Sequence, residues 1–274
     1  MPIPELPAAL FIDLDDTLVA FDAVTDSTWR EVWAEFAVGR PGLDEDLLYQ
    51  TVRQVSEHYW SDPERHRVGR LDIRIARRNI VSEGFALLGL PEMEAIAAAD
   101  RYSSLRLERM YLFPGATGAL EFFRARGIFL VLITNGDSAG QRWKINRFGL
   151  EPYFDAILVE GERGYGKPDP RIYRDALAAA ACSPGQALMI GDNYEWDVLG
   201  ALSAGIRAVW IDRAGNGTVA VSRASSGDPA TGGGAATADS GSTSTDCGTA
   251  PNGKLKPEAA LRSFSDLPAH LVVV

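Results

Sequence analysis

From Phe113 onward the chain alternates short apolar runs with amphipathic helical patterns, and this alternation leaves room for little besides parallel strands joined by helical crossovers. The pattern predicts helices over 115–126, 138–148, 170–181 and 194–204. It predicts strands over 128–133, 155–159, 187–190 and 207–211. One earlier run, Ala9-Leu10-Phe11-Ile12, has the same character: four apolar residues without polar alternation, as in a strand covered on both faces. Between that strand and the alternating region, from about Phe21 to Arg109, no strand pattern occurs. Amphipathic helices punctuated at Pro41-Gly42, Asp62-Pro63 and Leu90-Pro91 occupy the interval. The expectation is an α/β fold, a doubly wound parallel sheet with a helical block inserted after its first strand. Ligands of such open sheets bind beyond the carboxyl ends of the strands.

The stretch from about Ala214 to Pro257 breaks the pattern, being dominated by Gly, Ser, Thr and Ala. It holds too few large apolar residues to offset its ordering entropy and reads as a disordered surface insertion. The return over Leu261–Val274, with Phe264 and Leu267, is expected to dock back on the core. The organisation expected is therefore a core of residues 1–19, 111–213 and 258–274, a helical cap of residues 20–110, and an insertion over 214–257. A formal charge of −10, from 27 Lys and Arg against 37 Asp and Glu, argues against nucleic acid or anionic lipid as a partner. No apolar stretch approaches the length of a membrane span. The two cysteines, Cys182 and Cys247, have neither metal-ligand spacing nor the pattern of a disulfide framework, which fits a reducing cytoplasm.

Four short segments carry the residues suited to phosphoryl transfer. Asp13 and Asp15 follow the first strand, with Thr17 two residues on, and alternate positions of an extended segment project to the same side. Paired carboxylates permit one to attack phosphorus while the other gives its proton to the leaving oxygen. A second apolar strand ends in Thr134-Asn135-Gly136, a hydroxyl, a carboxamide and a glycine suited to close approach by phosphate. Lys167 sits in Gly164-Tyr165-Gly166-Lys167-Pro168-Asp169-Pro170, where its charge can neutralise a carboxylate nucleophile and a phosphoryl group. Asp192 ends another buried strand and Asp197 lies about one helical turn beyond. Magnesium commonly takes one or two carboxylates, which Asp13 and Asp192 can supply. Taken singly, each piece has an ordinary explanation as a turn, a helix cap or a solvated loop lysine.

The order and strand-end placement of the four segments resemble the haloacid dehalogenase superfamily in its phosphatase branch, over nearly the whole chain outside the insertion. The resemblance implies a Rossmann-like core with a helical cap inserted after the first motif. It implies Asp13 as nucleophile, Asp15 as general acid and then base, and Thr134, Asn135 and Lys167 as phosphate-binding residues. It further implies Mg2+ held by Asp13, the backbone carbonyl of Asp15, and Asp192, with Asp197 supporting Lys167 or a metal-bound water. The activity implied is magnesium-dependent hydrolysis of a small phosphorylated metabolite. A sugar-phosphate mutase would use the same four motifs, and a binding or regulatory protein could keep the fold without turnover.

Within the helical block, Arg70, Arg74, Arg77 and Arg78 share one helical face. They either draw an anionic substrate towards the cleft or pair with acids of their own and neighbouring helices, and the second reading is the expected one. Trp29, Trp33, Tyr59 and Trp60 either line a pocket or form the cap's own core, and again the second is expected. Phe21 and Asp26, just past the first motif, fall where a cap would meet the site. The substrate, the cap residues facing the cleft and the oligomeric state are open at this stage.

Overall fold

The computed structural model describes residues 6–40, 42–213 and 256–270. The run begins with strand β1 (Ala9–Ile12), after which helices α1 (Thr25–Ala37), α2 (Glu45–Ser61), α3 (Pro63–Gly69), α4 (Ile73–Leu87) and α5 (Glu92–Arg109) follow without an intervening strand. Helix α6 (Ala116–Arg124), strand β2 (Phe129–Thr134), helix α7 (Ser138–Arg147) and strand β3 (Ala156–Val159) come next. They are succeeded by a short helix α8 (Glu160–Arg163), helix α9 (Pro170–Ala179) and strand β4 (Ala187–Gly191). A π-helical turn over Tyr194–Leu199 leads into α10 (Gly200–Ser203) and β5 (Arg207–Ile211), and the later segment adds β6 (Ala259–Leu261) and α11 (Leu267–His270).

The six strands form one parallel sheet in the order β3-β2-β1-β4-β5-β6. Because β1 sits between β2 and β4, the three loops that leave these strands share one edge of the sheet. Ile12 pairs with Leu132 on one side and with Ile190 on the other, so Asp13 and Asp192 lie just beyond the ends of β1 and β4, beside Thr134 at the end of β2.

Successive residues of the strands pack on opposite faces, which is why the apolar runs do not alternate with polar residues. On one face Leu10, Ile12, Leu130, Leu132, Leu188 and Ile190 meet Leu120 and Phe123 of α6, Ile145 of α7, and Phe264 and Leu267. On the other, Phe11, Val131, Ile133 and Met189 meet Ile172, Tyr173 and Ala176 of α9 together with Val198 and Ala201. Phe264 and Leu267 are thus docked on the core; the Leu271–Val274 run and most of the 214–257 segment lie outside the described residues.

Helices α1, α2, α4 and α5 enclose a separate apolar cluster that includes Trp33, Leu48, Val52, Ile80, Phe85 and Tyr102. Trp33 is buried there, and Trp29 stacks between Trp33 and Tyr102. Gly84 lets α4 approach α2, since a Cβ at that position would stand 2.8 Å from Val52 Cγ2. Among the described residues, no helix is long and apolar enough to cross a membrane.

Two differences from the sequence reading have local causes. The helix expected over 194–204 is a π turn followed by one short α turn, a form often found at functional sites. Its wider first turn sets the buried Asp197 inward, where it accepts a hydrogen bond from Asn193 N–H at 3.0 Å. Strand β6 was not expected because its three residues, Ala259-Ala260-Leu261, form too short a run to read as a strand.

Candidate active site

The loop after β1 is fixed by Asp16, which adopts a positive φ of 55°. Its carboxylate accepts the backbone N–H groups of Phe21 (3.1 Å), Asp22 (2.7 Å) and Ala23 (3.2 Å), an arrangement that folds the chain away from the sheet and into α1. Arg213, stacked on Phe113, braces the same loop by donating to the carbonyls of Asp16 (2.8 Å) and Thr17 (3.0 Å). Asp13 and Asp15 are thereby presented at the sheet edge.

Lys167 Nζ lies 2.6 Å from Asp13 Oδ1 and 2.6 Å from Asp197 Oδ1, all three groups being buried. Burial draws the lysine pKa down, but the two carboxylates outweigh it and hold the ammonium form. Asp13 is pushed up to about 7, chiefly by burial and against the pull of Lys167, with the charge of Asp197 adding to the rise. Asp192 is likewise raised well above the ordinary carboxylate range by burial and then by Asp13. Carboxylate oxygens of Asp13, Asp192 and Asp197 all fall within 4.8 Å of one another. Such a group fits a hard divalent cation, whose charge would offset the crowding that raises Asp13 and Asp192. Asp197 already serves Lys167 and Asn193 N–H, which leaves Asp13 and Asp192 as the freer donors.

Thr134 brings a hydroxyl oxygen that is buried and has no hydrogen-bond partner among the described residues. Orphaned buried hydroxyls are uncommon, and one facing the cavity beside Asp13 and Lys167 is suited to a ligand oxygen. The Asn135 carboxamide donates one N–H to Lys167 O (2.7 Å) and accepts from Lys167 N–H (2.8 Å), so the side chain clamps the lysine's main chain while it lines the cavity with its second N–H uncommitted. Glycine is required at two contacts. A Cβ on Gly166 would stand 2.4 Å from Asn135 Oδ1, and one on Gly191 would stand 2.1 Å from Asp197 Oδ2.

Asp15 is held by two residues that the sequence did not single out. Lys144 Nζ lies 2.6 and 2.5 Å from its two oxygens, and Gln141 Nε2 donates to it at 3.0 Å. Both partners are buried on α7 three residues apart, and Lys144 also lies 4.3 Å from the centre of the Phe21 ring. A lysine among Gln, Arg and Asn on a helix reads as a solvated position, so only the fold brings it to the site.

The sheet edge and the helical block enclose one cavity of about 700 Å3. Asp13, Thr134, Lys167 and Asp192 line it from the sheet side, and Trp29, Arg77 and Arg106 from the other. Contacts near the cavity tie the helical block to the sheet domain and to the loop after β1. Arg70 makes a forked ion pair with Glu160 at 2.6–3.0 Å, and Glu160 also accepts Gly136 N–H at 2.9 Å. The His66 ring packs edge-on to Trp196, 5.0 Å between centres. Arg106 donates to Phe21 O (2.9 Å) and to Asp22 (2.8 Å). Of the arginine face, Arg74 and Arg78 share Asp100 as expected of a paired surface, whereas Arg70 reaches across to the core.

A phosphoserine phosphatase of Thermus thermophilus is 36% identical over 192 residues, 70% of this chain and 67% of that protein. A glyceraldehyde 3-phosphate phosphatase of Methanothermobacter thermautotrophicus is 27% identical over 207 residues, 74% and 85% of the respective chains. Among solved structures, the Bacillus subtilis protein YfnB, described as a HAD-hydrolase bound to magnesium, superposes with a TM-score of 0.65 at 19% identity, covering 98% of this chain and all of that one, a likeness of fold. Residues 7–205 match the family described as haloacid dehalogenase-like hydrolase. That match runs from the start of β1 through α10, over the greater part of the chain, and the chain belongs to this hydrolase family.

Proposed function

We propose that the chain is a magnesium-dependent phosphomonoesterase acting on a small phosphorylated metabolite through a phosphorylated Asp13. The observation that carries this reading is the convergence on one cavity of Asp13, the Lys167 ammonium 2.6 Å from it, and the partnerless hydroxyl of Thr134. Curated relatives named as phosphatases support hydrolysis over the mutase alternative. Their names specify different phosphate esters, so they do not choose the substrate. We place the activity in the reducing cytoplasm, in line with the unpaired cysteine pattern of the sequence.

In this proposal Thr134 Oγ1 and Lys167 Nζ hold the phosphoryl oxygens. Asn135 joins them with its second N–H while it fixes the Lys167 main chain. An oxygen of Asp13 attacks phosphorus, the bond to the leaving oxygen breaks, and Asp15 gives that oxygen a proton. A water then gives its proton to Asp15 and attacks the same phosphorus, breaking the bond to Asp13 and releasing inorganic phosphate. Since Lys144 engages both oxygens of Asp15, the carboxyl must exchange that contact for the leaving oxygen in the first step. Asp13, the Asp15 carbonyl and Asp192 are the residues we assign to Mg2+, with Asp197 fixing Lys167. When bound, the ion supplies charge that screens the repulsion between an anionic nucleophile and an anionic phosphate.

Phosphate release from a panel of nucleotides, sugar phosphates and phospho-acids, with and without Mg2+, tests the reading. Magnesium-dependent release that is lost by at least about 10^3-fold in a folded Asp13→Asn variant is expected. Full activity in that variant would refute the mechanism.

A further inference from the structure

Four arginines line the cavity, Arg53, Arg70, Arg77 and Arg106, and three of them are neutralised within the protein. Arg53 pairs with Glu57, Arg70 with Glu160 and Arg106 with Asp22. Arg77 is different. Its Nη1 donates to Ser103 Oγ at 2.7 Å and its guanidinium carbon lies 4.8 Å from the centre of the Tyr102 ring. Among the described residues, no carboxylate lies within ion-pair distance of it. Its neighbours Arg74 and Arg78 take up Asp100.

A guanidinium carries five N–H donors, and a single hydroxyl and an aromatic face use only part of that capacity. A half-buried charge with no carboxylate in ion-pair distance, set on a cavity wall, is suited to a ligand that supplies the opposite charge. Burial, followed by the repulsion of Arg106, brings Arg77 down to about 10, against the smaller pulls of Tyr102, Asp100 and Asp22. The arginine remains charged at neutral pH.

We infer that Arg77 receives a carboxylate of the substrate, so that the substrates are small phosphorylated carboxylic acids; this rests on the phosphomonoesterase reading given above. The sheet side of the cavity takes the phosphoryl group and the helical side takes the second anion. A carboxylate fits better than a second phosphate, because one guanidinium balances one charge and the cavity's other arginines are already paired. Trp29, the aromatic residue beside Tyr102, has both ring faces taken up between Trp33 and Tyr102.

The test uses two substrate pairs that differ by a carboxylate: O-phosphoserine against O-phosphoethanolamine, and phosphoglycolate against ethyl phosphate. Wild-type kcat/KM is expected to favour the carboxylated member of at least one pair by about 30-fold or more, the scale of a charge-assisted hydrogen bond. In R77Q that ratio should fall towards unity, mainly through KM, and R77K should recover part of it. Equal turnover of both members by the wild type, or a ratio that survives in R77Q, overturns the inference and leaves the phosphatase reading intact. Hydrolysis of an aryl phosphate with none of the four esters turned over does the same. Absence of magnesium-dependent release from every ester, the aryl phosphate included, overturns the phosphatase reading itself.

Discussion

Asp13 sits in a crowd of charge that only close packing can hold: one lysine at 2.6 Å and two further carboxylates within 4.8 Å. Gly191 makes that crowd possible by leaving room for Asp197. Gly191→Ala would drive a methyl group into Asp197 Oδ2, so we expect a loss of about 1–3 kcal/mol in thermal unfolding and at least a tenfold fall in phosphate release. A variant with wild-type melting and turnover would show that the Asp197–Lys167 contact is dispensable. Asn135→Ala removes both bonds to the Lys167 main chain and should cost about 1–3 kcal/mol as well, with a lower kcat and no new dependence on the carboxylate of the substrate. Asp13, Asp15, Thr134, Lys167, Asp192 and Asp197 were legible in the sequence because each follows an apolar strand or a glycine-rich turn. Lys144 and Gln141 were not, because their meaning depends on how α7 docks against the β1 loop. Asn135 was legible as polar chemistry, but the direction of its carboxamide was not.

Helix α8 is four residues long, yet its first residue joins the two bodies of the molecule. Glu160 is buried, ties Gly136 N–H and receives the Arg70 fork. Arg70→Ala leaves Glu160 with the backbone bond alone, and a loss of about 2–3 kcal/mol is expected, less than for a fully buried pair because Arg70 is 18% exposed. Amide exchange should rise in α3 and α4 while β1, β2 and β4 stay protected; unchanged exchange in α3 would mean that the fork does not hold the helical block. Strands β1 to β5 and helices α6, α7 and α9 were legible to within a residue or two, since continuous apolar runs bounded by glycine, proline and acid have few alternatives, whereas the short β6 and α8 were not. The π turn over Tyr194–Leu199 was not, because its sequence keeps the periodicity of an ordinary helix and only the demand for an inward Asp197 widens it. The Arg70 bridge was hidden for a similar reason: an arginine face gives no sign of which member reaches another body of the protein.

The whole molecule stores its electrostatic cost at one place, the edge where β1, β2 and β4 end. Asp13 at about 7 and Asp192 well above the ordinary range bind protons in the folded chain that the unfolded chain, with carboxylates near 3.8, has already released. The contribution of Asp13 is full below about pH 4 and is lost as pH rises through about 7, on the order of a few kcal/mol, and that of Asp192 is lost in the same direction. His66, lowered by burial and then by Arg70, has the opposite sign and weakens the fold as pH falls through its depressed value. Magnesium acts on the carboxylates and not on His66, so the rise in Tm on adding Mg2+ should be larger at pH 8 than at pH 5.5. An equal rise at both values would contradict a cation held by these acids. The central claim, that Asp13 carries the phosphoryl group, is tested most directly by acid-quenching the enzyme during turnover and reducing it with borohydride. The account predicts a homoserine in the peptide spanning residue 13, formed only when substrate is present. Reduction at no aspartate, from enzyme that is releasing phosphate, would contradict it and point to direct attack by water.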